Sequence, residues 1–117
     1  MYVVNRDQLP TPNEFAGVDH GGLDVSFLLV DAAPGQGPVL HKHAYAEVFV
    51  VLEGTATFIA GHEERLVRAG EIVVVPADTP HRFFNSGDAT LRQVDIHVSP
   101  RFVTEWLEDD AVAERVD

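Results

Sequence analysis

The chain contains no cysteine in its 117 residues. That excludes disulfides and every metal site built on thiolates, while leaving the compartment open. Basic residues are scarce: eight Lys and Arg stand against nineteen Asp and Glu, for a formal charge of −11. So acidic a surface repels nucleic-acid phosphates and anionic membranes at long range, and neither is expected as a partner. Long apolar runs are missing as well. None approaches the roughly 18–20 residues that span a bilayer, and the opening MYVVNRDQLPTPNEF lacks a basic region leading into an apolar core. The expectation is a soluble, cytoplasmic protein forming one domain over residues 1–117, long enough to bury a core.

What is present is β-like. From Val25 to Val98 short β-branched and aromatic runs, among them VSFLLVD, EVFVVLEG, TATFIAG, EIVVVP and TLRQVDIHVS, are broken by Gly35, Gly37, Gly54, Gly61, Gly70 and Gly87. Such spacing is that of an all-β sandwich or barrel, and with no long helix between the runs no parallel sheet is indicated. Some runs are apolar on both faces. Glu47, Phe49 and Val51 share one side, Val48, Val50 and Leu52 the other, and Ile72 to Val75 is apolar throughout. A strand buried on both faces needs an outer layer, and a second copy of the chain is the expected source, giving a homodimer. After the strands, Ser99 suits an N-cap and Pro100 the first helical position. Phe102, Val103, Trp106 and Leu107 follow at helical spacing, so a short helix over about 100–109 is expected, with Trp106 as a core anchor. From Glu105 to Asp117 six acids face one base, which reads as a solvated helical face.

The chemistry concentrates in HKHAYAEVFVVLEG. His41 and His43 flank one lysine, and on an extended chain both imidazoles then point to one face. Glu47 opens the next run on the face of Phe49, where an antiparallel neighbour can bring it opposite the histidines. His81, in PADTPHRFFN, begins another run and is the fourth candidate. Three neutral imidazoles and a carboxylate suit one divalent transition ion, Fe, Mn, Ni, Co, Cu or Zn, whereas calcium and magnesium want more oxygens. Spacing alone leaves open that these are unrelated histidines, because His-x-His is a weak motif. His20 and His62 sit in turn-like sequence and read as surface residues; Tyr45 reads as a loop residue or a gate at the mouth; Arg82 should point away from His81.

Two spaced motifs make the pattern specific. Gly35, five residues, His41-x-His43, three residues, Glu47, six residues and Gly54 form the first; Gly70, five residues, Pro76, then His81 and Asn85 form the second. With both, the chain resembles the cupins, the likeness extending from Gly35 to about Val98. Asp78 stands where the second motif has glycine, and aspartate is among the residues that best tolerate left-handed turns. The resemblance implies an antiparallel double-stranded β-helix, a jelly-roll barrel of about residues 23–98. It places the metal inside one end, held by His41, His43, Glu47 and His81 with one or two coordination positions open.

An open site can do chemistry on a small molecule in the barrel mouth. Family resemblance implies a dioxygenase-like or isomerase-like enzyme. In the first, Glu47 would take a proton from an enol; in the second, the ion would polarise a carbonyl. The alternative is a non-catalytic cupin that binds or senses a small ligand, because fold does not fix function. The run LRQVDIHVS leaves a further choice. Its alternation ordinarily puts Val94, Ile96 and Val98 inward and Gln93, Asp95 and His97 in solvent. If another layer covers the apolar face, the polar row lines the mouth instead, with His97 as acid or base beside the metal.

Overall fold

A computed structural model describes residues 1–109. Ten strands run β1 (Glu14–Phe15), β2 (Ser26–Ala32), β3 (His41–Lys42), β4 (Glu47–Glu53), β5 (Thr55–Ala60), β6 (Glu63–Arg68), β7 (Ile72–Val75), β8 (His81–Asn85), β9 (Leu91–His97) and β10 (Glu105–Trp106). They form two five-stranded sheets, β1-β2-β9-β4-β7 and β10-β3-β8-β5-β6, with antiparallel pairing throughout. This is the double-stranded β-helix that the motifs imply. Among the described residues no helix is long and apolar enough to cross a membrane.

The sheets face one another across rows of side chains that the strand registers define. Ser26, His97, Glu47 and Val75 make the first row of one sheet, and His41, His81 and Ala60 that of the other. Beneath lie Leu28, Asp95 and Phe49 opposite Phe58 and Phe83, whose rings pack 5.0 to 5.9 Å apart. Val30, Gln93 and Val51 form a third row, opposite Ala56 and Asn85. The metal candidates thus rest on an aromatic floor of buried rings. Asn85 works as a clamp. Its amide donates to the carbonyls of Ala32 (2.9 Å) and Ala89 (2.8 Å), and its Oδ1 accepts from the Gly87 amide (2.9 Å).

Two turns show why the motifs need particular residues. Gly54 sits at φ 87°, where a Cβ would come within 2.8 Å of the Thr90 carbonyl oxygen. Asp78 takes φ 60°, the left-handed region its glycine counterpart would use, and its amide donates to the His43 carbonyl at 2.7 Å. The departure from the motif therefore leaves the turn intact.

The expected C-terminal helix over 100–109 does not form. The segment runs extended, pairing Glu105 with Lys42 and Trp106 with His41, and Leu107 N donates to Leu40 O at 3.0 Å. Phe102, Thr104 and Trp106 are half-buried while Val103, Glu105 and Leu107 are exposed, so an alternation of two competes with the helical spacing. The free edge of β3 decides between them, because it offers backbone hydrogen bonds that an isolated short helix would have to forgo. Trp106 accordingly is a half-buried cover and not a core anchor. Of the acidic run, Glu105, Glu108 and Asp109 are exposed on this extended segment, and 110–117 lie outside the described residues. Strands β1 and β10 flank the expected 23–98 barrel and add an edge to each sheet.

The outer face of the first sheet is apolar too. Phe27, Ile96, Val48 and Val74 form one cross-strand row and Leu29, Val94, Val50 and Ile72 the next. Phe15 stacks on Phe27 at 4.6 Å and covers one end. At the other end Ile72 and Val74 are 63% and 65% exposed, so β7 is not buried on both faces within one chain.

Removing the floor should be costly. Phe83→Ala should lower the unfolding free energy by about 3–5 kcal/mol, the usual loss for a buried aromatic ring; urea denaturation of the metal-free protein measures it.

Candidate metal centre

His41 lies on β3, His43 just past its end, Glu47 opens β4 and His81 opens β8. One ligand atom from each falls within 4.8 Å of the others. Glu47 is the hub. Its Oε1 lies 3.1 Å from both His43 Nε2 and His81 Nε2, and its Oε2 lies 3.1 Å from His97 Nε2. All five side chains are at most 3% exposed.

The opposite edges of the rings explain their orientation. His41 Nδ1 donates to Val39 O at 2.7 Å, His81 Nδ1 to Thr79 O at 2.8 Å and His43 Nδ1 to Val103 O at 2.9 Å. A carbonyl only accepts, so each Nδ1 carries the proton and each neutral ring presents an Nε2 lone pair to the centre. Three lone pairs and a carboxylate oxygen crowd together unless a cation lies between them. The donor set and its tautomers therefore fit a divalent transition ion, with the carbonyls as orienting partners of the ligands.

His97 is arranged in the opposite sense. Its Nδ1 is 2.7 Å from the Tyr45 hydroxyl, which accepts from Val103 N–H at 3.0 Å. A phenol can accept one proton and donate another, so this hydroxyl is placed to donate to Nδ1 and leave the ring proton on Nε2, 3.1 Å from Glu47 Oε2. Three histidines are prepared as ligands and the fourth as a proton partner of the carboxylate.

Burial shifts the titrations. Desolvation lowers the His41 pKa to about 4, assisted by the charges of His81 and His43 and opposed by the Val39 hydrogen bond. For Glu47 burial pushes upward, but the surrounding side chains of His43, His81 and His97 outweigh it and hold the carboxyl well below the usual carboxylate range.

His41, His43, Glu47, His81 and His97 come together here. The polar row of β9 does face inward, against the usual alternation, because Val94 and Ile96 belong to the apolar outer face. Only His97 reaches the metal row. Asp95 and Gln93 lie in the rows beneath, paired by Gln93 Nε2 donating to Asp95 Oδ1 at 2.7 Å, so they do not line the mouth. His20 stacks on Phe15 at 4.1 Å and His62 is an exposed turn residue, both outside the centre. Arg82 points outward over the Phe84 ring. The Tyr45 bridge and the Val103 backbone contacts were not legible: a carbonyl leaves no mark in a sequence.

Residues 28–97 match the family profile described as Cupin domain. The chain belongs to the cupin family. It is 30% identical over 100 residues to Auxin-binding protein 4 of Zea mays, covering 78% of this chain and 49% of that protein. It is 40% identical over 68 residues to Polyketide synthase CurC of Streptomyces cyaneus, covering 57% and 44%. The chain thus spans under half the length of these two relatives. A solved structure of recombinant oxalate oxidase in complex with glycolate superposes with a TM-score of 0.71 at 27% identity, over 91% of this chain and 60% of that one.

The titrations give this cupin an acid-labile apo state. A histidine whose folded pKa is lowered binds fewer protons folded than unfolded, so its burial costs nothing above pH 6.5 and costs progressively more as pH falls toward 4. Glu47, depressed, contributes stability that is lost only below the ordinary carboxylate range. Chelator-treated protein should therefore lose roughly 1–2 kcal/mol of stability between pH 7 and 4.5, measured by urea unfolding. His41→Gln should flatten that slope.

Proposed function

We propose that this cupin is a cytoplasmic metal-dependent enzyme acting on a small oxygen-bearing molecule, with His41, His43, Glu47 and His81 holding one divalent transition ion. The observation that carries the reading is a shared contact pattern: three Nδ1 atoms held on carbonyls turn the Nε2 edges of three rings toward one carboxylate. When bound, the ion would supply a Lewis acid that acidifies a substrate hydroxyl or a proton beside a carbonyl. Glu47 is placed to accept that proton. Its Oε2 faces His97 Nε2, and the Tyr45 hydroxyl fixes the His97 ring from the far side, so the pair can hold a proton and return it. Proton abstraction of this kind serves both a dioxygenase-like and an isomerase-like reaction. The likeness to oxalate oxidase bound to glycolate supports a small hydroxy- or keto-acid or an enol as the substrate class.

A second reading, non-catalytic ligand binding, draws on the relative named for binding auxin. Dioxygen uptake and product analysis with candidate enols and hydroxy acids separate turnover from retention of an intact ligand.

The same reading includes a homodimer. The two apolar rows on the outer face carry no charged side chain in a chain of net charge −11, so a second copy of that face is the surface that matches it without burying a charge.

Elemental analysis of untagged protein should give one ion per chain. His81→Ala should lose it, while His97→Phe should keep it and lose turnover or ligand affinity by roughly tenfold or more; an ion kept by the first variant would sink the ligand set. Light scattering should give about twice the chain mass of 12.8 kDa, and Val74→Glu should return a monomer.

A further inference from the structure

The segment 99–108 crosses the candidate centre one histidine at a time. Its start is anchored: Ser26 Oγ donates to Ser99 O at 2.8 Å and Val18 N donates to Pro100 O at 2.8 Å. Beyond that, the Phe102 ring lies 4.9 Å from His97, Val103 O accepts from His43 Nδ1, and the Trp106 ring lies 5.0 Å from His41. The far end is held by a two-residue strand, the Leu107–Leu40 backbone bond, Glu108 Oε1 accepting from Leu40 N at 2.9 Å, and the exposed Lys42–Glu105 ion pair at 3.3 Å. So short an edge strand, with exposed Val103 and Leu107 at its sides, belongs to the low end of local stability.

One residue ties this segment to the chemistry. Val103 holds His43 through its carbonyl and Tyr45 through its amide, and Tyr45 in turn meets His97. Lifting the segment removes the acceptor that fixes the His43 tautomer and releases the support of His97 together. Closed, it leaves the five site side chains almost without contact to water.

Resting on the metal reading above, the geometry points to residues 101–108 as a clasp: an ion exchanges only when the segment lifts, and bound ion and closed clasp stabilise each other. Orienting partners of ligands are worth about 10–100-fold in metal affinity. Linkage requires that ion binding shift the opening equilibrium by the same factor.

The absence of cysteine permits a clean lock. Lys42 and Glu105 are direct cross-strand partners, and antiparallel partners lie about 4.5–5.5 Å apart at Cα, within disulfide reach. In K42C/E105C loaded with Co²⁺, release to excess EDTA should be at least tenfold slower oxidised than after reduction with a phosphine, the reduced form of the same variant being the reference because the substitutions remove the Lys42–Glu105 ion pair. The chain's single tryptophan, Trp106, reports the release by recovery of its quenched fluorescence. Equal rates in the two redox states would overturn the clasp. A second measurement needs no substitution: in wild type, Co²⁺ should slow amide hydrogen exchange at Val103 and Leu107 at least tenfold, and unchanged exchange there would overturn it equally. The failures are distinguishable, since wild type that binds no Co²⁺ removes the metal reading itself, while tight binding with lock-insensitive release removes the clasp alone.

Discussion

The centre depends on where three imidazole protons go. A neutral histidine offers one lone pair, and which nitrogen offers it is decided by the partner of the other. Here the partners are main-chain oxygens. Two are local: Val39 and Thr79 each lie two residues before the histidine they hold, at the point where the chain enters β3 or β8. The third, Val103, is brought from sixty residues away by pairing β10 against β3. The centre is therefore a product of strand pairing as much as of side chains, and neither sheet alone could build it.

Below the centre, stability and reactivity are separated by row. An ionised carboxylate is an expensive thing to bury, and a cation held between it and the ring nitrogens 3.1 Å away would make it tolerable. The next row supplies what the first cannot, a packed group of phenylalanines with Asp95 held to Gln93 at its side. Chemistry can thus be carried at the top of the barrel while the lower rows keep the sheets together.

The fold and the ligands were readable because both leave periodic or spaced marks. Turn residues recur between apolar runs, and Gly35, His41, His43, Glu47 and Gly54 stand at fixed intervals along the crossing from β3 in one sheet to β4 in the other. The terminal helix failed because Phe102 and Trp106, four residues apart, share a face on a strand as well as on a helix, and a free sheet edge, invisible in one dimension, chose the strand. The β9 alternation was ambiguous for a related reason. Alternation says that two faces differ, while burial of the polar one depends on what covers the apolar one. Tyr45 read as a loop residue or a gate, and its bridge between His97 and the Val103 amide, fifty-eight residues away, left no mark in the sequence.

The local carbonyls have a consequence for how such a centre can vary. No side-chain replacement deletes the oxygen that holds His41 or His81, so those two corners are fixed as long as the strands begin where they do. His43 and His97 are different, one relying on a remote segment and the other on a phenol that a single substitution can remove. The ion would sit between two rigidly held ligands, with one adjustable ligand in His43 and an adjustable proton partner in His97, and drift in its reactivity would enter through that pair.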